Sequence, residues 1–254
     1  MNVTNLRKIK KGFSGIYGFI KDGLPLYFNY GKKELIDYAF TNLQFTPRSL
    51  TDLGGVWKID GAYTFYALDH YPLEKAFIVD TNFTPRVVKK SLKYSNLTLI
   101  NDNFGTQKVV EKIKSVDALL MFDILLHQVK PNWDDILEMY SRISTVLLIY
   151  NQQYIGAERT VRLLDLGHEE YFKILPFARK RPLYQELFTK LDEIHPEHKR
   201  PWRDIHNVWQ WGITNQELIT VMERLGFELK FHKNHGRFSN LNQFEDHAFV
   251  FMKK

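Results

Sequence analysis

Short, unbroken apolar runs recur along the first half of this chain, and they restrict its fold more than any other feature. After the more polar Ser49–Leu53, read as a further strand, residues 76–79, 97–100, Val116–Phe122 and 146–150 are strand-length and largely apolar. A strand of that kind is covered on both faces, as in a parallel sheet with helices above and below. The segments between the runs supply the helices. Residues 61–70 are apolar and aromatic, residues 84–94 open with Thr-Pro, and Gln107–Ile113 and the amphipathic stretch 133–143 follow. Proline suits a first helical position, because its missing N–H has no partner there. Right-handed crossovers between such units give an open α/β sheet, whose ligands sit beyond the carboxyl ends of the strands. Four acids, Asp52, Asp80, Asp102 and Asp123, fall at or just past a run's end. Their shared position points to a site.

The rhythm stops at residue 151. Residues 151–210 are aromatic and charged, with helix-like stretches such as 182–194 and no evident strand. Residues 214–225 then begin with Thr214 and Glu217 at capping-box spacing, and Gly226 closes that helix. Residues 227–231 and 248–252 read as a terminal pair of strands joined by a polar loop, 232–246. The expected architecture is a doubly wound, mostly parallel seven-stranded α/β sheet with a C-terminal antiparallel strand and a helical cap. Residues 1–48 form an N-terminal segment, residues 49–254 the core, and residues 151–210 a substrate-binding cap inserted in it.

Composition excludes several chemistries. The chain has no cysteine, so disulfides, thiolate metal sites and cysteine nucleophiles are absent. The formal net charge is +6, and residues 1–48 hold eight Lys/Arg against three Asp/Glu, five of the six excess charges. Arg7, Lys8, Lys10 and Lys11 could meet phosphate, but a nucleic-acid-binding surface spreads such charge more widely, so nucleic acid is a disfavoured partner. The polar, basic start has no apolar core behind it and no run is long enough to span a membrane, which leaves the cytoplasm as the expected location. Nine histidines include His195, His198 and His206 close together and His232 and His235 three apart, yet no strong ligand spacing appears and no metal is expected.

In order and spacing these pieces resemble a class I S-adenosylmethionine-dependent methyltransferase, over about residues 49–150 and 211–254. Asp52-Leu53-Gly54 is similar to the opening of that family's first motif, and Asp80 stands where the family places the acid ending strand two. Asp102-Asn103-Phe104 resembles its third motif. The stretch from Val116 through Asp123 and Leu126-His127-Gln128-Val129 is the nearest match, and Trp211 through Gly226-Phe227 is similar to the last helix and sixth strand. The departure is the glycine loop, LTDLGGVWKIDG, where Val56 and Lys58 replace glycines. Asp52 and Asp80 lie 28 positions apart, against the roughly 20 usual between such a loop and the ribose acid. An inserted segment 56–60, with Gly61 resuming the turn, accounts for both.

The resemblance implies S-adenosylmethionine as cofactor, bound by Asp52, Gly54, Gly55, Asp80, Thr81, Asp102, Asn103, Phe104 and Asp123. Asp80 would accept the ribose hydroxyls, Asp102 the adenine amino group, and Asp52 or the Asp123 region the ammonium. His127 and Asp123 are the base candidates placed near the fourth strand's end; Tyr154, His206 and His235 qualify by residue type alone. Trp57 and Lys58 would form a wall or lid. The expected reaction is methyl transfer to a small-molecule or sugar-type acceptor, at oxygen. No Asn-Pro-Pro-Tyr follows strand four, which counts against methylation of nucleic-acid bases. Acceptor recognition would fall to Tyr17, Tyr27, Phe28 and Tyr30 and to Tyr154, Arg159, Tyr171, Trp202, Arg203 and Trp209. The alternatives are a catalytically silent binding or scaffold protein with this fold, an RNA methyltransferase, and a nicotinamide oxidoreductase, though the last lacks its G-x-G-x-x-G fingerprint.

Overall fold

The computed structural model describes residues 27–239 and 241–254. Arg7, Lys8, Lys10, Lys11 and Tyr17 lie outside them. Strands β1 (Ser49–Leu53), β2 (Lys75–Asp80), β3 (Leu97–Asn101), β4 (Val116–Phe122) and β5 (Ser144–Tyr154) alternate with helices α1 (Tyr30–Thr41), α2 (Ala62–His70), α3 (Pro85–Ser91), α4 (Gln107–Ile113) and α5 (Trp133–Ser141). The segment expected as a cap follows, containing a two-residue strand β6 (Val161–Arg162), helices α6 (His168–Ile174) and α7 (Pro182–Leu187), and β6's partner β7 (Trp211–Gly212). Helix α8 (Asn215–Arg224) leads into β8 (Phe227–Arg237) and β9 (Phe244–Lys253). The seven-stranded sheet has the order β3-β2-β1-β4-β5-β9-β8. Strands β1 to β5 pair in parallel, and β9 runs antiparallel to both neighbours. The mostly parallel sheet with a C-terminal antiparallel strand is therefore present.

Alternation along each strand divides the core. Leu50, Leu120, Leu148 and Val250 face α1 and α2, together with Leu35, Ile36, Ala39 and Ala67. Leu53, Leu119, Ile149 and Phe251 face α4, α5 and α8. Helix α1 forms because Asn29 caps it, its side chain accepting from the Gly31 and Lys32 N–H groups, and because Leu35, Ile36, Ala39 and Phe40 make one apolar stripe. Leu148 is wholly buried on central strand β5. Leu148→Ala should cost about 2–5 kcal/mol in urea denaturation, whereas Leu92→Ala, on the surface, should change stability by less than about 0.5 kcal/mol.

The sequence reading needs correction in four places. Residues 232–246 are not one loop: β8 continues to Arg237 and β9 begins at Phe244, paired as far as Arg237 with Glu245. β8 is an edge strand with a largely solvated face, so its side chains are polar although its backbone is fully strand. The 182–194 stretch holds only α7 as a helix. Thr214 does cap α8, but Glu217 accepts from the Thr160 N–H instead of completing a box; the reciprocal box is Asn132 with Asp135 on α5. β5 runs to Tyr154, past the expected boundary at 150. Among the described residues no helix is long and apolar enough to cross a membrane.

Candidate active site

The glycine loop is a folded turn, not a slack insertion. Gly54, at φ 71°, donates to Val79 O at 2.8 Å and so stays joined to β2. The next residues close on themselves: Asp60 N–H donates to Val56 O at 2.9 Å and Gly61 N–H to Gly55 O at 2.8 Å. Val56 and Ile59 are buried, while Trp57 is 75% exposed. Gly61, at φ 70°, begins α2. A Cβ on Gly55 would lie 2.3 Å from Asp52 Oδ2. Only glycine permits that backbone to rest on the carboxylate.

Asp52 lies inside β1 rather than past its end, and its side chain points to the α1/α2 face, where Thr64 donates to it at 2.9 Å. Burial, with the Asp80 charge adding to it, pushes its carboxyl up to about 7. Asp80 closes β2. It accepts from the Val56 N–H at 3.1 Å and the Asn82 N–H at 3.2 Å, and exposed Thr81 presents its backbone N–H to the same carboxylate. Burial raises Asp80 above the usual carboxylate range. Asp102 N–H donates to Asp80 O at 3.1 Å, tying the β2 and β3 tips together. The Asp102 carboxylate, however, is drawn to Lys108 and Lys112 of α4 at 3.1 and 3.4 Å, and the Lys108 bond holds it below its usual range. Asn103 Oδ1 accepts from the Gly105 N–H. Phe104 stands against Gly54 opposite Ile124, whose side chain would be 3.0 Å from a Cβ there.

The fourth tip carries the densest polar cluster. Asp123 adopts φ 58°, a conformation rare outside glycine, asparagine and aspartate, and its N–H donates to Tyr150 O. One carboxylate oxygen takes the Lys32 ammonium of α1 in a short contact, and the other accepts from Gln152 Nε2 at 2.9 Å. The same amide nitrogen donates to Asp246 Oδ1 at 2.9 Å. Tyr63, Phe122 and Tyr150 surround the ammonium at 5.3 to 5.8 Å from their ring centres. Burial alone would lower the Lys32 pKa, but Asp123 and its other neighbours outweigh that and hold the lysine protonated. Burial, and then the Asp123 charge, push Asp246 up to about 7.

Asp52 and Asp246 therefore hold their protons more tightly folded than unfolded. Between about pH 4 and 7 these two groups bind more protons in the native chain than in the unfolded one, so they lower stability as pH rises through that window. Asp246→Asn, which keeps an oxygen for Gln152, should raise the melting temperature at pH 8. Its advantage should shrink toward pH 4, as a thermal melt series would show.

His127 ends a 3-10 turn, Leu125–His127. Its Nδ1 lies 2.8 Å from Val208 O. A carbonyl only accepts, so Nδ1 carries the proton and Nε2 the basic lone pair. Burial lowers its pKa and keeps it neutral. Of the other base candidates, Tyr154 and His206 lie away from this cluster. Tyr154 donates to Gln243 and packs within the cap's core, and His206 lies against Val129 O and Arg200. His235 packs on Tyr150. Of the proposed recognition rings, Phe28, Tyr154, Tyr171, Trp202 and Trp209 are buried, Arg203 pairs with Asp192, and Tyr27 and Tyr30 remain exposed. Among the described residues no group of three His, Cys, Asp or Glu side chains is placed to hold a metal ion.

Sequence reasoning missed Lys32, Tyr63, Thr64, Ile124, Gln152 and Asp246. Asp246 carried a signal: it stands two residues before the apolar stretch Ala248–Val250–Phe251 of an antiparallel strand, whose beginning lies at the same sheet edge as the other strands' ends.

No protein-family model and no curated protein matches the sequence. Solved structures do match in fold. The N-terminal domain of EvdMO1, crystallised in the presence of SAH and D-fucose, is 14% identical with a TM-score of 0.55, over 94% of this chain and 91% of that one. The 1,6-didemethyltoxoflavin-N1-methyltransferase of Burkholderia thailandensis, with its substrate and S-adenosylhomocysteine bound, is 10% identical with a TM-score of 0.53, over 88% and 78%. Magnesium protoporphyrin IX methyltransferase from Synechocystis PCC 6803, with SAH bound, is 8% identical with a TM-score of 0.52, over 89% and 83%. At these identities the likeness is one of fold: the chain has the fold of class I methyltransferases.

Proposed function

We propose that this chain is an S-adenosylmethionine-dependent methyltransferase acting on a small-molecule or sugar-type acceptor, at oxygen. The observation that carries the reading is the cluster of four carboxylates, Asp52, Asp80, Asp123 and Asp246, at the carboxyl edge of the sheet, with Lys32 the only Lys or Arg buried among the described residues. Such an acidic cluster beside a glycine turn suits a cationic nucleoside. The residues fit that group. Gly54 and Gly55 bring bare backbone against Ile124 and Asp52, closer than a side chain would allow, Asp80 has lone-pair capacity beyond its three backbone partners for a ribose hydroxyl, and Phe104 with Ile124 offers apolar contacts to a base. Asp102 and Asn103 contribute mainly by fixing that tip. Thr81 offers its exposed backbone.

The cofactor supplies an activated methyl on a sulfonium, so the protein's work is alignment, exclusion of water and removal of one proton. In this reading Asp123, with lone pairs beyond those taken by Lys32 and Gln152, takes that proton. His127 Nε2 is the second base. The described aromatic residues of the cap mostly fill its own core, so acceptor contacts would fall to the exposed Tyr27 and Tyr30. The test is a metabolite screen with the purified protein and S-adenosylmethionine, read by mass spectrometry. One acceptor should gain a single methyl on oxygen, and a screen yielding no methylated product counts against the reading.

A further inference from the structure

The geometry points to Lys32 as a catalytic residue that holds the acceptor's oxygen as an oxyanion, and therefore to an acceptor that presents an aromatic or enolic hydroxyl. This rests on the methyltransferase reading and narrows its acceptor class.

An ammonium on the first turn of a helix stands against the helix dipole and pays for desolvation, so packing alone does not account for it. It has three donors. Among the described residues its one hydrogen-bond acceptor is Asp123. The rest of its surroundings are the faces of Tyr63, Phe122 and Tyr150. Its side chain is 11% exposed and that of Asp123 39%, and the two form one ion pair, so an oxygen that reaches Asp123 lies next to the ammonium. The aromatic faces around that ammonium suit a planar ring.

The roles are complementary. Asp123 has about four lone-pair positions, of which Lys32 and Gln152 take two. As the acceptor's oxygen forms its bond to the methyl carbon, the carbon–sulfur bond breaks with its electron pair staying on sulfur. The hydroxyl proton passes to Asp123, and Lys32 neutralises the charge developing on oxygen. A cation of this kind brings a phenol, ordinarily near pKa 10, within reach of a carboxylate base. The groups facing the ammonium are Asp123 of β4, Asp246 of β9, Tyr63 of α2, Tyr150 of β5 and Asp52 of β1. Both tyrosines are pushed up by burial, Tyr63 to about 12, so neither competes with the acceptor as an anion near neutrality.

The test uses 4-nitrophenol as probe, titrated spectroscopically against pH on the full chain with S-adenosylhomocysteine present. Wild type should bind the phenolate, with its pKa lowered by about one unit or more. Lys32→Met should lose that shift and lower kcat for methylation of the phenol by about 100-fold or more. Its S-adenosylhomocysteine affinity should stay within about threefold of wild type, a change of under 1 kcal/mol. Lys32→Arg should retain the shift, which guards against a folding defect in the methionine variant. Failure of the wild type to bind S-adenosylhomocysteine sinks the methyltransferase reading and this inference with it. Binding of S-adenosylhomocysteine without a bound phenolate, an undiminished Lys32→Met, or methylation of free monosaccharides but no phenol overturns this inference alone.

Discussion

Asp123→Asn should lower kcat by about 10²–10⁴-fold. Asparagine is chosen because it tolerates the left-handed backbone at φ 58° as aspartate does. Its amide cannot take a proton, and it leaves the Lys32 ammonium without its charged partner. Affinity for S-adenosylhomocysteine, which draws mainly on the glycine turn and Asp80, should change far less than kcat. Single-turnover kinetics with calorimetry separates the two. An equal loss in both would place Asp123 in cofactor binding rather than in proton transfer.

Gly55→Ala should abolish measurable cofactor binding, a loss of about 100-fold or more in affinity, equivalent to roughly 2.7 kcal/mol. The added methyl would sit 2.3 Å from Asp52 Oδ2. The carboxylate has nowhere to go, since it is buried against Thr64. The turn must lift, and with it the Val56 N–H held by Asp80. Overpacking of this kind also costs about 1–3 kcal/mol of stability. Shortening Asp52 to alanine in the same chain should restore much of the lost stability, because the two substitutions act on one contact and cannot add. Equal affinity for wild type and Gly55→Ala would show that the turn does not carry the ligand.

The core strands were legible in the sequence because burial on both faces leaves an apolar run that no other element of that length produces. β8 was not, because its exposed face selects polar residues while its backbone pairs to Arg237. The four acids were legible through their place at run ends. What could not be read was their partners. Asp102 turns to Lys108 and Lys112, a choice set by where α4 begins. Lys32 reaches Asp123 across 91 residues of chain, and nothing in a Lys-Lys pair on an amphipathic helix distinguishes it from a solvated one. Gln152 looked like the start of a cap, yet it is the last stretch of β5 and joins two carboxylates. The aromatic cap shows the opposite failure: rings that suggested a binding face mostly fill the cap's interior.

Calorimetric titration of the purified chain with S-adenosylhomocysteine puts the central claim to the most direct test. One site per chain with micromolar affinity, lost in Asp80→Ala while the variant still melts cooperatively, is the expected result. Absence of binding heat at several temperatures, or binding that Asp80→Ala leaves intact, would contradict the account.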